Sequence, residues 1–206
     1  MKKWIPAAAT AAGAYLIAIA PRLCERPERM PKVYYAHRGL HDNISDAPEN
    51  SLAAFQKAVD AGYGIELDVQ MTADGKVVVV HDFNLKRISG VDKEIDQCTY
   101  EELQDYPIYG SDQRVPLFED VLKAVDGKVP LIVELKYKEG SQICEKAQEL
   151  LNGYTGVYCI ESFHPKVLVW YRNNYPQKHL PKFIRLSVRC MDGKMSGSAG
   201  CLQQIL

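Results

Sequence analysis

From Val33 onward, short apolar runs typical of β-strands alternate with longer segments in which apolar residues recur at helical spacing. Four consecutive valines at 77–80 indicate a strand that is buried on both faces. Because parallel strands need crossover connections, this alternation predicts an α/β fold with a parallel sheet. The predicted strands are 33–36, 64–70, 77–80, 131–135 and 156–160, and the predicted helices are 52–61, 100–104, 118–125, 141–151 and 165–173.

Five such strands suit a TIM-type (β/α) barrel, which normally has eight strands and about 250 residues. The chain has 206 residues, so we expect a barrel that is incomplete at its C-terminus. Asn50 or Ser51 is the expected N-cap of the first helix. The stretch 82–117 is expected to be polar and irregular, apart from its one short helix.

The N-terminal region differs from the rest of the chain. Residues 4–20 carry no charge and follow Lys2 and Lys3, which predicts an N-terminal transmembrane helix, although a span takes about 20 apolar residues. Four Lys or Arg residues follow by position 32, and the positive-inside rule then places the main domain in the cytoplasm. Two alternatives stay open: a signal peptide cleaved after Ala20, which implies a secreted protein, and a soluble apolar leader. The predicted organisation is an anchor and linker at 1–30, a main domain at 31–176 and a divergent tail at 177–206.

Titratable side chains lie at the ends of four predicted strands. They are His37 with Arg38, Glu66 with Asp68, His81 with Asp82, and Glu134 with Lys136. Because active sites of such barrels lie at the carboxyl ends of the strands, we expect these groups to form one site. Side chains alternate along a strand, so Glu66 and Asp68 point to one face. Two buried carboxylates need a compensating cation, and their oxygens suit Ca²⁺ or Mg²⁺.

This set of groups suits an anionic phosphodiester. Arg38 offers a planar bidentate donor and Lys136 a point charge for the phosphate. His37 and His81 titrate near neutral pH and suit a general acid and base pair. The formal net charge of -1 provides no basic field, so no nucleic-acid partner is expected. The six cysteines include no C-x-x-C pair, so zinc-type spacing is absent.

These residues lie in motifs that closely resemble those of the glycerophosphodiester phosphodiesterase family. The motifs are His37-Arg38-Gly39, Ala47-Pro48-Glu49-Asn50-Ser51, Glu66-Leu67-Asp68-Val69, Thr72-Ala73-Asp74-Gly75, Val79-Val80-His81-Asp82, Pro116-Leu117-Phe118-Glu119 and Glu134-Leu135-Lys136. The resemblance implies a (β/α)₈ barrel that cleaves small glycerophosphodiesters to sn-glycerol 3-phosphate and an alcohol. The implied roles are Glu66, Asp68 and Glu134 as ligands of a divalent metal ion, His37 and His81 as catalytic acid and base, Arg38 and Lys136 as phosphate-binding residues, and Glu49 and Asp82 as supporting residues.

The resemblance ends after Pro176, where the family continues through three more strands. Here 183–188 is predicted to be one strand and 193–200 a loop. A barrel of five or six strands leaves unpaired backbone groups at an open edge, so we expect a chain that is truncated or ends in a shifted reading frame.

Three functions therefore stay open. They are a membrane-tethered glycerophosphodiester hydrolase, a non-catalytic fragment of the same family, and a phospholipase-type enzyme that acts on lipid head groups. The sequence does not indicate an oligomeric state.

Four residues outside this set receive simpler interpretations. His41 is expected to be solvated. His164 precedes Pro165 at a helix entry, with a contact to the site as an alternative. Trp170 and Tyr171 are expected to pack their helix against the core.

Overall fold

The computed structural model describes residues 30–175 and the backbone of a short strand at Leu202–Gln204. The predicted anchor, the predicted strand at 183–188 and the predicted loop at 193–200 lie outside the described residues. Among the described helices, none has the length and apolar character that a membrane span requires.

One sheet organises the fold. Its strands are β1 (Tyr34–His37), β2 (Gly64–Met71), β3 (Val77–Val79), β4 (Leu131–Leu135), β5 (Tyr158–Glu161) and β6 (Leu202–Gln204). β2 pairs in parallel with β1 and with β4, and β4 pairs in parallel with β5. The predicted α/β architecture with a parallel sheet is confirmed for these four strands. The order is β5-β4-β2-β1-β6, so the sheet is open within the part of the chain that the structure describes.

Two strands run against this parallel set. β3 pairs antiparallel with the end of β2, so that Val69 lies opposite Val79. The short turn around Gly75 joins the two strands, and a parallel pair would need a much longer crossover. The prediction that 77–80 forms another parallel strand is therefore wrong. β6 pairs antiparallel with β1.

The helices lie between these strands in the sequence. They are α1 (Leu52–Asp60), α2 (Lys86–Ser89), α3 (Tyr100–Leu103), α4 (Phe118–Val125), α5 (Gln142–Asn152) and α6 (Pro165–Asn174). α1 begins after Ser51, whose hydroxyl oxygen accepts a hydrogen bond from the Ala54 N–H at 3.1 Å. Asn50, the other candidate cap, instead adopts a left-handed φ of 56°.

The two faces of the sheet differ in chemistry. Ile65 and Leu67 of β2 pack with Phe55 and Phe118 of the helices in the main hydrophobic core. The other face carries a small apolar cluster of Tyr35, Ile132 and Cys159. Because side chains alternate along a strand, the polar residues of β2 and β4 lie on this second face, next to the small cluster.

The segment 82–117 is better ordered than the sequence suggested. It contains α2, α3 and the 3₁₀ turns Ile95–Gln97 and Ile108–Gly110. Its apolar residues pack against Val78 and Val80 and form a separate hydrophobic core. The buried members of this core are Val78, Val80, Leu85, Ile88, Ile95, Cys98, Leu103, Ile108 and Val115. The expectation of a polar, irregular stretch was wrong, because these apolar residues are spread over several very short elements. We call residues 82–117 the insertion.

The cap of α1 gives a stability prediction. Replacing Ser51 by Ala removes the acceptor for the Ala54 N–H, and we expect a loss of about 1 kcal/mol in the free energy of unfolding. Urea unfolding of the two proteins measures this difference.

Ser141→Ala is the matched control, because Ser141 occupies the N-cap of α5 without a side-chain capping hydrogen bond. It should change the free energy of unfolding by at most about 0.5 kcal/mol. Equal losses in the two variants would contradict the capping role of Ser51.

Candidate active site

Three carboxylates meet where β2 and β4 lie side by side. Asp68 of β2 is in register with Glu134 of β4, and Glu66 precedes Asp68 on the same face. One oxygen from each group lies within 4.8 Å of the others. Asp68 is completely buried, and the other two carboxylates are almost so. The parallel register of two strands thus brings the three predicted metal ligands together.

These buried acids perturb one another's ionisation. Burial and the neighbouring charge of Asp68 raise the pKa of Glu66 well above its ordinary value. Burial raises the pKa of Glu134 to about 7, although the Lys136 ammonium opposes this shift. Burial also works against ionisation of Asp68, but Lys136 holds the pKa of that carboxyl below its ordinary value. The three acids therefore oppose one another's ionisation.

Lys136 is the main local counter-charge. Its Nζ lies 2.7 Å from Glu134 Oε1 and 2.9 Å from Asp68 Oδ1. Even so, Asp68 Oδ1 is buried and accepts no well-aligned hydrogen bond from the described residues. One ammonium cannot neutralise three buried carboxylates, and a cluster of carboxylate oxygens fits a hard divalent cation such as Ca²⁺ or Mg²⁺.

The turn after β1 places Arg38 beside the carboxylates. Arg38 and Gly39 both adopt left-handed φ angles, 58° and 83°. A Cβ at Gly39 would lie 2.9 Å from Ala54 Cβ, so the turn packs closely on α1. In this geometry the Arg38 backbone N–H donates to Glu66 Oε2 at 3.1 Å, and Arg38 Nε lies 3.6 Å from Asp68 Oδ2.

The two predicted catalytic histidines border the same cluster. His37 Nε2 lies 3.8 Å from Glu66 Oε2, and burial, together with the charge of Arg38, lowers the pKa of His37 to about 4. His81 Nδ1 lies 2.6 Å from Asp82 Oδ1. A carboxylate only accepts, so Nδ1 carries the proton and Nε2 of the neutral ring is left as the acceptor. Burial lowers the pKa of His81.

Glu49 and Asp82 lie outside the carboxylate cluster and bind its neighbours. Glu49 Oε1 accepts a hydrogen bond from Arg38 Nη1 at 3.0 Å, and Asp82 binds His81 as described above. Burial opposes ionisation of both acids, but hydrogen bonds from Arg87 and other donors lower the pKa of each to about 2. Both supporting residues are therefore charged partners of the predicted functional groups.

Three further residues of the site were missed in the sequence. The Asn50 amide donates to Asp68 Oδ2 at 2.9 Å. The Gln70 amide donates to the carbonyl oxygens of Val80, His81 and Asp82 at 2.8–3.0 Å, which fixes the turn after β3. Gln70 continues the alternation of Glu66 and Asp68, so it was detectable in principle. Arg87 lies in the insertion and has no comparable signal in the sequence.

The residues set aside in the sequence have clear structural positions. His41 was expected to be solvated, but its Nδ1 lies 3.1 Å from the His37 carbonyl oxygen and 3.2 Å from that of Gly39. His164 caps α6 and stacks on Tyr137, with ring centroids 4.2 Å apart. Tyr171 is buried and Trp170 packs against it, which confirms their predicted role in helix packing.

A cavity of about 660 Å³ opens beside the site. His81 and Lys136 line it on the side of the carboxylates, and Phe83 and Lys86 of the insertion line it further out. This cavity adjoins Lys136, one of the predicted phosphate-binding residues, and provides room for an organic group.

Comparison with known proteins places the chain in a family. Residues 37–188 match the Glycerophosphoryl diester phosphodiesterase family. A glycerophosphodiester phosphodiesterase of Bacillus altitudinis is 32% identical over 176 residues, which cover 79% of this chain and 68% of the relative. The human lysophospholipase D is 32% identical over 163 residues, covering 73% of this chain and 48% of the relative. The Bacillus subtilis protein YqiK is 40% identical over 115 residues, covering 52% and 46%.

The chain thus spans about half the length of two of these relatives. Among solved structures, an Oleispira antarctica phosphodiesterase in complex with the product sn-glycerol-3-phosphate has a TM-score of 0.65 and 26% identity, covering 76% of this chain and 65% of that one. The glycerophosphodiester phosphodiesterase of Thermotoga maritima has a TM-score of 0.60 and 26% identity, covering 77% and 63%. By sequence and by structure, this chain belongs to the glycerophosphoryl diester phosphodiesterase family.

Proposed function

We propose that this chain hydrolyses glycerophosphodiesters to sn-glycerol 3-phosphate and an alcohol, with Ca²⁺ or Mg²⁺ as its cofactor. The observation that carries the proposal is the buried cluster of Glu66, Asp68 and Glu134, bordered by two imidazoles. The name of the Bacillus altitudinis relative and the product in the Oleispira antarctica structure support the same substrate class.

Arg38 and Lys136 are the groups that hold the phosphate in this proposal. Arg38 is oriented by Glu49, and Lys136 by Asp68 and Glu134, so both cations are fixed before a substrate arrives. Fixed donors lose little freedom when they bind an oxyanion, which favours binding of the reacting phosphate. When bound, a divalent ion held by the three carboxylates supplies further charge neutralisation for the phosphoryl oxygens.

The two histidines move the protons. Water attacks phosphorus, one imidazole takes the proton of the water, and the bond between phosphorus and the alcohol oxygen breaks. The other imidazole is protonated in this step and gives its proton to the leaving alcohol, so one diester and one water become one monoester and one alcohol. His81 exchanges its proton at Nε2, because Nδ1 is bound to Asp82.

A second candidate substrate is a lysophospholipid. The human relative is named a lysophospholipase D, and two exposed aromatic side chains lie near the phosphate-binding residues. Phe83 lines the cavity, and the ring of Phe163 lies 5.9 Å from Lys136 Nζ. Such apolar surface suits an acyl chain. An assay with glycerophosphocholine and lysophosphatidylcholine in parallel distinguishes the two substrates, and no metal-dependent product from either would identify a non-catalytic member of the family.

The metal assignment leads to a prediction with two measurements. Turnover of glycerophosphocholine should be lost on adding EDTA and return with excess Ca²⁺ or Mg²⁺. Adding the ion at about 100 times its Kd should also raise the free energy of unfolding of the parent chain by about 2.7 kcal/mol. Glu66→Gln should lose both effects, because it removes one of the three carboxylates.

Glu145→Gln is the control, since Glu145 is an exposed acid on α5 outside the cluster. Without added ion, Glu66→Gln should be at least as stable as the parent, because it removes charge repulsion with Asp68. An ion-induced stabilisation that persists unchanged in Glu66→Gln would refute the metal assignment.

The histidine assignment leads to a separate prediction. His37→Asn and His81→Asn should each lower kcat by about 10²–10⁴-fold at saturating metal ion, because each removes a proton-transfer group. His164→Asn keeps a good N-cap residue on α6 and should leave kcat within about twofold. Comparable kcat values for the parent and either site variant would exclude the acid–base roles.

A further inference from the structure

Arg87 of the insertion contacts both supporting acids of the site. It lies in α2, and each edge of its guanidinium meets a carboxylate. Nη1 and Nη2 donate to the two oxygens of Glu49 at 2.9 and 2.6 Å. Nε and Nη2 donate to the two oxygens of Asp82 at 2.6 and 3.1 Å. Such doubly bidentate geometry is available to arginine and not to lysine.

These contacts complete a row of alternating charges across the site. Arg38 binds Glu49, Glu49 binds Arg87, Arg87 binds Asp82, and Asp82 binds His81. One end of the row is a phosphate-binding residue and the other end is an acid–base residue. Arg87 is the member that joins the two ends, because it contacts both Glu49 and Asp82.

The surroundings of Arg87 hold it in one position. Arg87 Nη1 also donates to the Tyr109 hydroxyl, and Tyr109 adopts a left-handed φ of 50° that is uncommon for a tyrosine. The next residue, Ile88, is buried in the separate core of the insertion. Glu49 is further held by the Asn43 amide at 3.2 Å. The insertion therefore places a guanidinium with several hydrogen-bond partners at the edge of the site.

We propose that Arg87 is a positioning residue, which sets the orientation of Arg38 and His81 relative to each other through Glu49 and Asp82. The inference rests on the proposed hydrolysis, because that reaction needs a held phosphate and a proton-transfer group in a fixed mutual geometry. A displacement of about 1 Å between such groups costs on the order of 10²-fold in rate. Arg87 thus acts on the reaction through two carboxylates.

The test compares Arg87→Met with Arg114→Met in the full chain. Arg114 also lies in the insertion, but its guanidinium donates to the backbone carbonyl oxygens of Gln104, Ser111 and Gln113. At saturating metal ion, Arg87→Met should lower kcat about 100-fold with a much smaller change in KM, because Arg38 and Lys136 retain their charges. Arg114→Met should leave kcat within about twofold, even if it unfolds more easily.

Arg87→Lys is the second variant, and it tests whether the loss of kcat in Arg87→Met is caused by misfolding. Lysine keeps the charge but not the two bidentate contacts, so its kcat should lie between those of the parent and Arg87→Met. A kcat of Arg87→Met within threefold of the parent would overturn the inference, and so would an equal loss of kcat in Arg114→Met.

A ligand-free measurement separates this inference from the proposed function. In histidine-labelled chain, the imidazole ¹⁵N signals of His81 should shift in Arg87→Met and stay in place in Arg114→Met, while those of His164 stay in place in both. If the parent chain turns over no substrate, the proposed function fails, and the His81 signals still decide the role of Arg87. Unchanged His81 signals in Arg87→Met would overturn it.

Discussion

The burial of three carboxylates on two neighbouring strands is the constraint from which the rest of the site follows. Two ionised groups no more than 4.8 Å apart would repel each other by at least roughly 3 kcal/mol at an effective dielectric constant of about 20. Lys136, Arg38 and the Asn50 amide each offset part of this cost, and Arg38 is itself held by Glu49, which in turn binds Arg87. The network around the carboxylates therefore extends well beyond the three acids.

The insertion shows how a long connection becomes part of a site. Connecting segments that a stable scaffold positions often carry functional residues. This one is stabilised by its own apolar core on the outer face of β3. This packing positions Arg87 and Tyr109, which lie 38 and 60 positions from Glu49 in the sequence, to contact that residue.

Much of the sheet could be predicted, because local patterns encode it. The bounds of α4 and β4 agree with the sequence prediction, since a helical apolar stripe defines α4 and the apolar residues 131–133 and Leu135 define β4. The direction of β3 was missed, because strand direction depends on the length of the connection and not on four valines. The core of the insertion was missed because its residues come together only through tertiary contacts.

The residues of the site also fall into those that local sequence patterns predict and those that only tertiary contacts bring to the site. Glu66, Asp68 and Glu134 were predictable from strand alternation and strand ends, which are properties of the local sequence. Arg87 contacts Glu49, which lies 38 positions away in the sequence, and no local sequence pattern predicts such a contact.

β2 tolerates little change in length. It pairs with β1, β4 and β3, and its side chains alternate between the helix-facing core and the site. One extra residue in β2 before Glu66 would turn Glu66 and Asp68 towards the apolar core and Leu67 towards the site. Connections such as 82–117 can therefore gain or lose residues more easily than β2. The length of β2 is fixed both by its pairing with three strands and by the need to keep its acids on the face of the site.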